Sequence, residues 1–257
     1  MADVTLTYQG STIAELSDSG SKTLHTAGKY CEADIDVSYV KPSGGGVDWD
    51  GLALGMWPAG DVVLSENIVT IDHDRFRGNT AITSITAPGV QSITSAAFRE
   101  CNHLKSAYFP ELLTLNSSFP AFYGAGNASD AVGGAWVFPK LQSVPTDTFR
   151  QVRASAIDFG PDCASFGTRA LYQPTYGGYI PVLILRRTAG VVSLGNVNSI
   201  DKLNGYSQVF VPAELISDYE TATNWSTAKT NKGFSFVPIE GSIYEHAYAN
   251  GIPIPTT

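Results

Sequence analysis

The sequence predicts a mainly β protein with some α-helix, in which a small N-terminal β module precedes a solenoid of stacked repeats with a C-terminal helical cap. Charged residues make up only 16% of the 257 residues, while hydrophobic residues reach 43% and there are 25 glycines. This composition favours strands and turns over long, charged helices. The other two observations are a set of short alternating segments near the N-terminus and a spacing of phenylalanines and prolines that recurs along the chain.

The first forty residues predict four short strands. Apolar and polar residues alternate with period two over residues 4–8, 12–16, 22–25 and 34–40, which is typical of strands with one buried face. A segment of this size buries little core by itself, so we expect it to lean on a partner. We assign 1–43 to an attachment or assembly module and 44–47, with its consecutive glycines, to a flexible joint.

After the joint, phenylalanines precede prolines by a constant distance. The twelve-residue pairs are Phe76 with Pro88, Phe98 with Pro110, and Phe149 with Pro161. Successive prolines of this pattern lie 22 residues apart, except that 29 residues separate Pro110 from Pro139. A period of 22 falls within the range of about 20–29 residues that is typical of leucine-rich repeats.

Apolar residues at fixed offsets from these markers predict the repeat core. Each unit is expected to supply one strand and one turn, and stacking of five or six units builds a parallel sheet over a continuous core. Two irregular stretches interrupt the pattern, at 123–130 and 173–179. The predicted repeat core is Phe76, Phe98, Phe149, Ile93, Leu104, Leu115, Val144 and Phe166.

The array also has a predicted end. Residues 212–220 open with proline and an acidic residue, which favours a helix that caps the last repeat. A closing strand is predicted at 234–237. We therefore assign 48–240 to the solenoid with its cap, and 241–257 to a C-terminal arm that orders only against something else.

The repeat unit at 97–110 resembles that of the BspA-like leucine-rich repeat family. The resemblance rests on the pair Ala97-Phe98, followed by Cys101, Leu104 and Pro110. The segment at 209–226 is similar to the terminal piece of the same family. The resemblance implies a leucine-rich repeat fold over about residues 60–240, and a function among adhesins, surface proteins and related proteins.

The N-terminal segment at 1–46 resembles a small β module of phage and prophage virion proteins. The start of the chain lacks the basic and apolar blocks of a secretory signal, so we expect synthesis in the bacterial cytoplasm and a place in a virion. The resemblance implies a non-enzymatic fibre or decoration subunit that contacts other virion proteins through residues 1–43. It also implies a homo-oligomer, such as a trimer, that displays the solenoid towards a host-surface glycan or protein. The alternatives are a bacterial surface adhesin or interaction scaffold, and a virion enzyme that degrades glycans.

Composition and motif searches exclude several other classes. The net charge of −8 argues against nucleic-acid binding, and no apolar run approaches the ~20 residues of a membrane span. Cys31, Cys101 and Cys163 lie far apart, which predicts reduced, buried thiols. No spacing of histidines or cysteines indicates a metal site, and no catalytic or phosphate-binding motif is found, so we expect no metal and no cofactor.

Aromatic residues near the two irregular stretches are the candidate binding residues. Flat rings beside small polar residues suit contact with a glycan or a protein, because they bury much area at low entropic cost. The alternative is that these rings fill gaps where the repeat is interrupted. The candidates are Tyr123, Trp136, Tyr172, Tyr176 and Tyr179.

Overall fold

The structure, a computed structural model, describes residues 58–116, 119–128, 134–172 and 180–245 in full, together with the backbone of four N-terminal strands. Two antiparallel hairpins form from these four strands. They are β1 (Val4–Tyr8) with β2 (Ser11–Leu16), and β3 (Gly20–Ala27) with β4 (Glu32–Tyr39). The predicted joint at 44–47 lies outside the described residues.

One side of the repeat array is a parallel sheet of eight strands within the described part of the chain. Neighbouring strands pair in register, as where Phe138 lies opposite Phe159. The mainly β character with parallel sheets and few helices is therefore confirmed. The strands are β5 (Gly60–Val63), β7 (Ile82–Thr86), β9 (Ser106–Tyr108), β11 (Ala135–Phe138), β13 (Ala156–Phe159), β15 (Val182–Leu185), β17 (Gln208–Val211) and β18 (Ser235–Pro238).

A second side consists of two-residue strands. Three of them form one parallel sheet and three form another. Each repeat thus contributes two strands to the array, where the sequence predicted one. In four coils the second strand forms around the apolar residue that lies five positions after the proline, such as Ile93 after Pro88. These strands are β6 (Thr70–Ile71), β8 (Ser92–Ile93), β10 (Thr114–Leu115), β12 (Ser143–Val144), β14 (Ser165–Phe166) and β16 (Ser193–Leu194).

The third side is a turn that carries the repeat phenylalanine. The amide of Phe98 donates to the carbonyl of Ala121 in the next coil of the solenoid, at 2.8 Å. The rings stack from coil to coil, with centroids 4.9 Å apart for Phe76 and Phe98, 5.2 Å for Phe98 and Phe122, and 5.4 Å for Phe122 and Phe149. Backbone bonds and ring stacking together fix the spacing of the coils along this side.

All eight residues of the predicted repeat core are buried, with Leu115 the most exposed at 8%. The core also contains residues that the prediction did not name. They include Phe122, Phe138, Leu171 and Ile200.

The chain after β17 forms short helices before it returns to the sheet as β18. The 3₁₀ turn Ala213–Leu215 leads into α1 (Ile216–Thr221), and α2 (Trp225–Lys232) follows. Tyr219 accepts a hydrogen bond from the amide of Val192 at 3.1 Å, and the indole of Trp225 donates to the Val192 carbonyl at 2.6 Å. The buried rings of both helices therefore pack on the last coils of the array.

The face of the large sheet that points away from the core carries a smaller apolar cluster. It includes Val137, Ile184 and Phe210, together with Ile239 and Tyr244 from the segment after β18. Residues 239–245 therefore pack on this outer face. The remainder of the predicted arm, 246–257, lies outside the described residues.

An ion pair anchors the same segment on the outer face. Arg186 donates to both carboxylate oxygens of Asp158, at 2.9–3.3 Å, and to the carbonyl of Tyr244 at 2.7 Å. Asp158 is fully buried. Burial raises the pKa of Asp158 to about 7, and the guanidinium of Arg186 opposes that rise.

Candidate functional site

A row of exposed and partly exposed side chains follows the turn side of the solenoid. Each member comes directly after the buried apolar residue of its turn, so its side chain points outwards. We call this set the turn row. Its members, in coil order, are Arg77, Arg99, Tyr123, Arg150 and Tyr172.

Guanidinium groups and phenol rings alternate along the turn row from Arg99 onwards. The Arg99 guanidinium carbon lies 5.0 Å from the centroid of the Tyr123 ring, and that of Arg150 lies 5.4 Å from the same ring. Arg150 also lies 5.3 Å from the Tyr172 ring. These distances are typical of cation–π contacts, so the side chains hold one another in a defined order.

The backbone also fixes the positions of the residues in the turn row. In four coils, the residue that directly follows the member of the turn row adopts a left-handed conformation. The φ angle is 63° at Glu100 and 64° at Gln151. The amide of this residue donates to the carbonyl of the row residue in the next coil, at 2.8 Å from Glu100 to Tyr123 and 2.9 Å from Gln151 to Tyr172. Glycines fill the equivalent positions in the other two of these coils because they adopt positive φ without strain.

Arginine is concentrated on the turn side. Six of the eight arginines of the chain lie in or directly beside the turns of this side, whereas the chain as a whole is acidic. The acidic residues that pair with them are Asp74, Glu100 and Asp147. The six arginines are Arg75, Arg77, Arg99, Arg150, Arg153 and Arg169.

The acidic side chains compensate only part of this positive charge. Arg99 contacts Glu100 at 3.1 Å, and Asp147 contacts Arg169 at 2.7 Å and Arg150 at 3.6 Å. The Nε atoms of Arg150, Arg153 and Arg169 are covered and have no hydrogen-bond partner within the described part of the chain. In or beside the turns of this side, six arginines are set against the carboxylates of Asp72, Asp74, Glu100 and Asp147, so an excess of positive charge remains.

A lysine lies buried beneath this side of the array. Lys202 donates from Nζ to the carbonyl of Val152 and is 2% exposed. Burial lowers the pKa of Lys202 to about 7, with a further contribution from the charge of Arg153.

The structure describes three of the five predicted binding residues and separates Trp136 from the two tyrosines. Tyr123 and Tyr172 lie in the turn row and are half-buried. Trp136 is fully buried and its indole donates to the carbonyl of Lys105 at 3.1 Å. The prediction that Trp136 is an exposed binding residue is therefore corrected. Tyr176 and Tyr179 lie outside the described residues.

The arginines of the turn row were not among the predicted binding residues. The sequence contains the signal, because Arg77, Arg99 and Arg150 each directly follow a repeat phenylalanine. Tyr123 and Tyr172 occupy the same position in their own turns, since each directly follows the buried apolar residue of its turn. With those two turns included, the pattern places all five residues in one row.

Among the residues that the structure describes, no group of three or more histidine, cysteine or acidic side chains is placed to hold a metal ion. No helix in that part of the chain is long and apolar enough to cross a membrane. Cys101 and Cys163 are free and buried, and burial raises the pKa of each thiol to about 12.

Comparison with known families identifies the repeats. Residues 59–176 match the family described as BspA type Leucine rich repeat region, in six copies. The predicted BspA-like repeats are thus confirmed for this part of the chain. Such repeats indicate a role in surface adhesion or protein interaction and are typically non-enzymatic. No curated protein matches the chain.

Proposed function

We propose that the chain is a non-enzymatic adhesive protein of a phage virion, a fibre or decoration subunit, which binds a host-surface polymer through the turn row. The observation that carries the adhesive part is the alternation of arginine and tyrosine from Arg99 to Tyr172 along one side of the array. Side chains that are already ordered lose little entropy on binding. A repeating row also suits a repeating ligand, because successive units of a polymer meet successive coils.

The virion part of the proposal is supported by the order of the elements along the chain. Two N-terminal hairpins precede the array, and their sequence resembles a module of virion proteins. In this proposal residues 1–43 contact other virion proteins and copies of the same chain, and α1 and α2 cap the far end of the solenoid. Several copies on one particle add avidity to a weak contact.

The adhesion experiment uses the full chain coupled to fluorescent beads, with binding to a panel of bacterial cells measured by flow cytometry. We expect beads to bind cells of the strain that the particle infects. The variant Tyr123→Ala/Tyr172→Ala should lose about tenfold or more of the binding, because two ring contacts are removed. Tyr206→Ala is the matched control, since Tyr206 is 81% exposed and lies outside the turn row.

Two results would overturn the adhesion proposal. If no strain of the panel binds the beads, display for adhesion is wrong. If the double variant binds as well as the unchanged chain while both remain folded by circular dichroism, the turn row is not the contact surface.

The virion proposal has a separate experiment. Light scattering after size exclusion gives the mass of the full chain in solution, and mass spectrometry of purified particles shows whether the chain is present. We expect the chain in the particles and an oligomer, such as a trimer, in solution. Particles that lack the chain would overturn the proposal of a virion protein, whatever its mass.

A further inference from the structure

The charges of the turn side indicate which chemical class of surface polymer is the ligand. This step rests on the proposed function, since it concerns the same row. We propose that the ligand is an acidic polysaccharide, with carboxylates on some of its sugars and uncharged sugars between them.

The arginines supply the contact to carboxylates. A guanidinium presents a planar fork of donors that matches both oxygens of a carboxylate. Arg99 and Arg150 lie two coils apart with Tyr123 between them. Their side chains remain 29% and 25% exposed beside Glu100 and Asp147, so part of each arginine side chain is open to a ligand.

The tyrosines supply the contact to uncharged sugars. Sugar rings have an apolar face that packs on an aromatic ring, and the phenol hydroxyl adds a donor and an acceptor. Because arginine and tyrosine alternate from Arg99 to Tyr172, carboxylated and neutral sugars would meet their matching side chains in turn. The carboxylate of Glu100, whose side chain is 46% exposed, is an acceptor for a sugar hydroxyl.

The acidic residues also argue against a ligand of high charge density. Nucleic acid carries one charge about every 1.7 Å of duplex. A polymer of that density would bring phosphates close to Glu100 and Asp147, which lie on the same side of the coils. A polysaccharide with spaced carboxylates places its charge near the arginines and avoids those acids.

The experiment compares matched polymers on the immobilised full chain by biolayer interferometry. Hyaluronan, in which carboxylates alternate with neutral sugars, is the probe, and carboxyl-reduced hyaluronan is its uncharged partner. We expect hyaluronan to bind about tenfold more tightly than the reduced form, and this preference to fall as salt is raised. Polyphosphate and oligothymidylate serve as anions without spaced carboxylates, and both should bind more weakly.

Substitutions of Arg99 and Arg150 test whether the preference for hyaluronan over its carboxyl-reduced form comes from the turn row. Arg99→Gln/Arg150→Gln should bind both hyaluronan forms about equally, while Lys140→Gln, which removes an exposed charge paired with Glu111, should keep the preference. Circular dichroism is the check that each variant is folded. Arg99→Lys/Arg150→Lys is a second variant that keeps the charge, and it should lose part of the preference because lysine lacks the fork.

The outcomes separate this inference from the proposed function. Equal binding of the two hyaluronan forms, or tighter binding of polyphosphate or oligothymidylate, overturns the acidic polysaccharide. If neither form binds although the beads bind cells in a tyrosine-dependent way, the inference is wrong and the adhesive function stands. If the beads bind no cells, the adhesive function itself is wrong.

Discussion

At the scale of the residue, Gly160 marks a place where two neighbouring coils approach closely. It follows β13, and a Cβ at this position would lie 1.6 Å from the carbonyl oxygen of Pro139. Gly89 and Gly134 stand in similar places, with Cβ positions 1.8 Å and 2.0 Å from backbone oxygens of the preceding coil. The coils are therefore close enough at these points that only glycine fits.

We predict that Gly160→Ala lowers the free energy of unfolding by about 1–3 kcal/mol, because the added methyl meets a backbone atom that cannot rotate away. Urea unfolding followed by circular dichroism measures the change. Gly205→Ala is the control, since the nearest atom to its Cβ would lie at 3.9 Å. Equal midpoints for the two variants would contradict this account of the coil contact.

Lys202 gives a second prediction at this scale. The folded chain holds the pKa of Lys202 at about 7, below its ordinary value of 10.5. Between these two values the unfolded chain binds a proton that the folded chain has released, so the contribution of this group to stability rises with pH. Below about pH 7 the amine of Lys202 is protonated in both the folded and the unfolded chain. The folded chain then bears the full free-energy cost of a buried charge.

The change that tests this is Lys202→Met. We expect the rise in the urea midpoint between pH 7 and pH 10 to be smaller in Lys202→Met than in the unchanged chain. Lys140→Met, at an exposed lysine, should keep the original slope. Parallel pH profiles for the unchanged chain and Lys202→Met would show that the buried amine does not titrate in this window.

At the scale of the element, the segment after β18 is held by an ion pair and by apolar side chains. Arg186 joins the buried Asp158 to the carbonyl of Tyr244. We predict that Arg186→Met frees this segment, because Asp158 loses its cation and the Tyr244 carbonyl loses a donor; breaking a buried pair costs about 3–5 kcal/mol. Chymotrypsin should then cut after Tyr244 faster, while the exposed Tyr206 serves as the internal reference site.

The neighbouring arginine provides the matched variant. The charge of Arg187 acts on Cys163 and Tyr219 in the main core. Arg187→Met should therefore leave the ratio of cutting at the two tyrosines unchanged. An unchanged ratio in Arg186→Met as well would mean that the apolar contacts of Ile239 and Tyr244 alone hold the segment.

The same scale shows which elements the sequence could predict. The sequence predicts Phe76, Phe98 and Phe149 as core residues because their prolines follow at a constant distance. Phe122 does not fit the spacing of the other repeats, so the pattern does not predict this ring. Two extra residues lie between Pro110 and Phe122, and five extra residues lie between Phe122 and Pro139. Insertions in loops cost little stability, so they shift the spacing while the ring still stacks in the core.

Trp136 and the turn row illustrate two further limits. Trp136 lies beside an irregular stretch, which suggested exposure, yet it alternates with Val137 along β11 and points into the core together with Phe138. The turn row depends on side chains from coils far apart in the chain. Its geometry therefore follows from the stacking of coils, which local sequence patterns do not contain.

At the scale of the whole molecule, the stacked rings connect neighbouring coils and make the stability of each depend on the next. The ring contact of Phe76 among the described residues is with Phe98. In a solenoid, the free energy of unfolding is approximately the sum of the contributions of each coil and of each interface between coils. A substitution in the middle of the array should therefore destabilise more coils than the same substitution near its start. Phe122 lies in the middle, and its ring contacts those of Phe98, Phe109, Trp136, Phe138 and Phe149.

We predict that Phe122→Ala reduces amide protection in coils on both sides, while Phe76→Ala reduces it mainly over residues 60–86. Both rings are fully buried, so each truncation lowers the local free energy of unfolding by about 3–5 kcal/mol. The two variants differ in which coils lose amide protection. Hydrogen exchange followed by mass spectrometry resolves the coils. If Phe76→Ala reduces amide protection equally as far as β17, the array unfolds as one unit. The ring stack would then transmit the change from one end to the other, and nearest-neighbour coupling would be the wrong description.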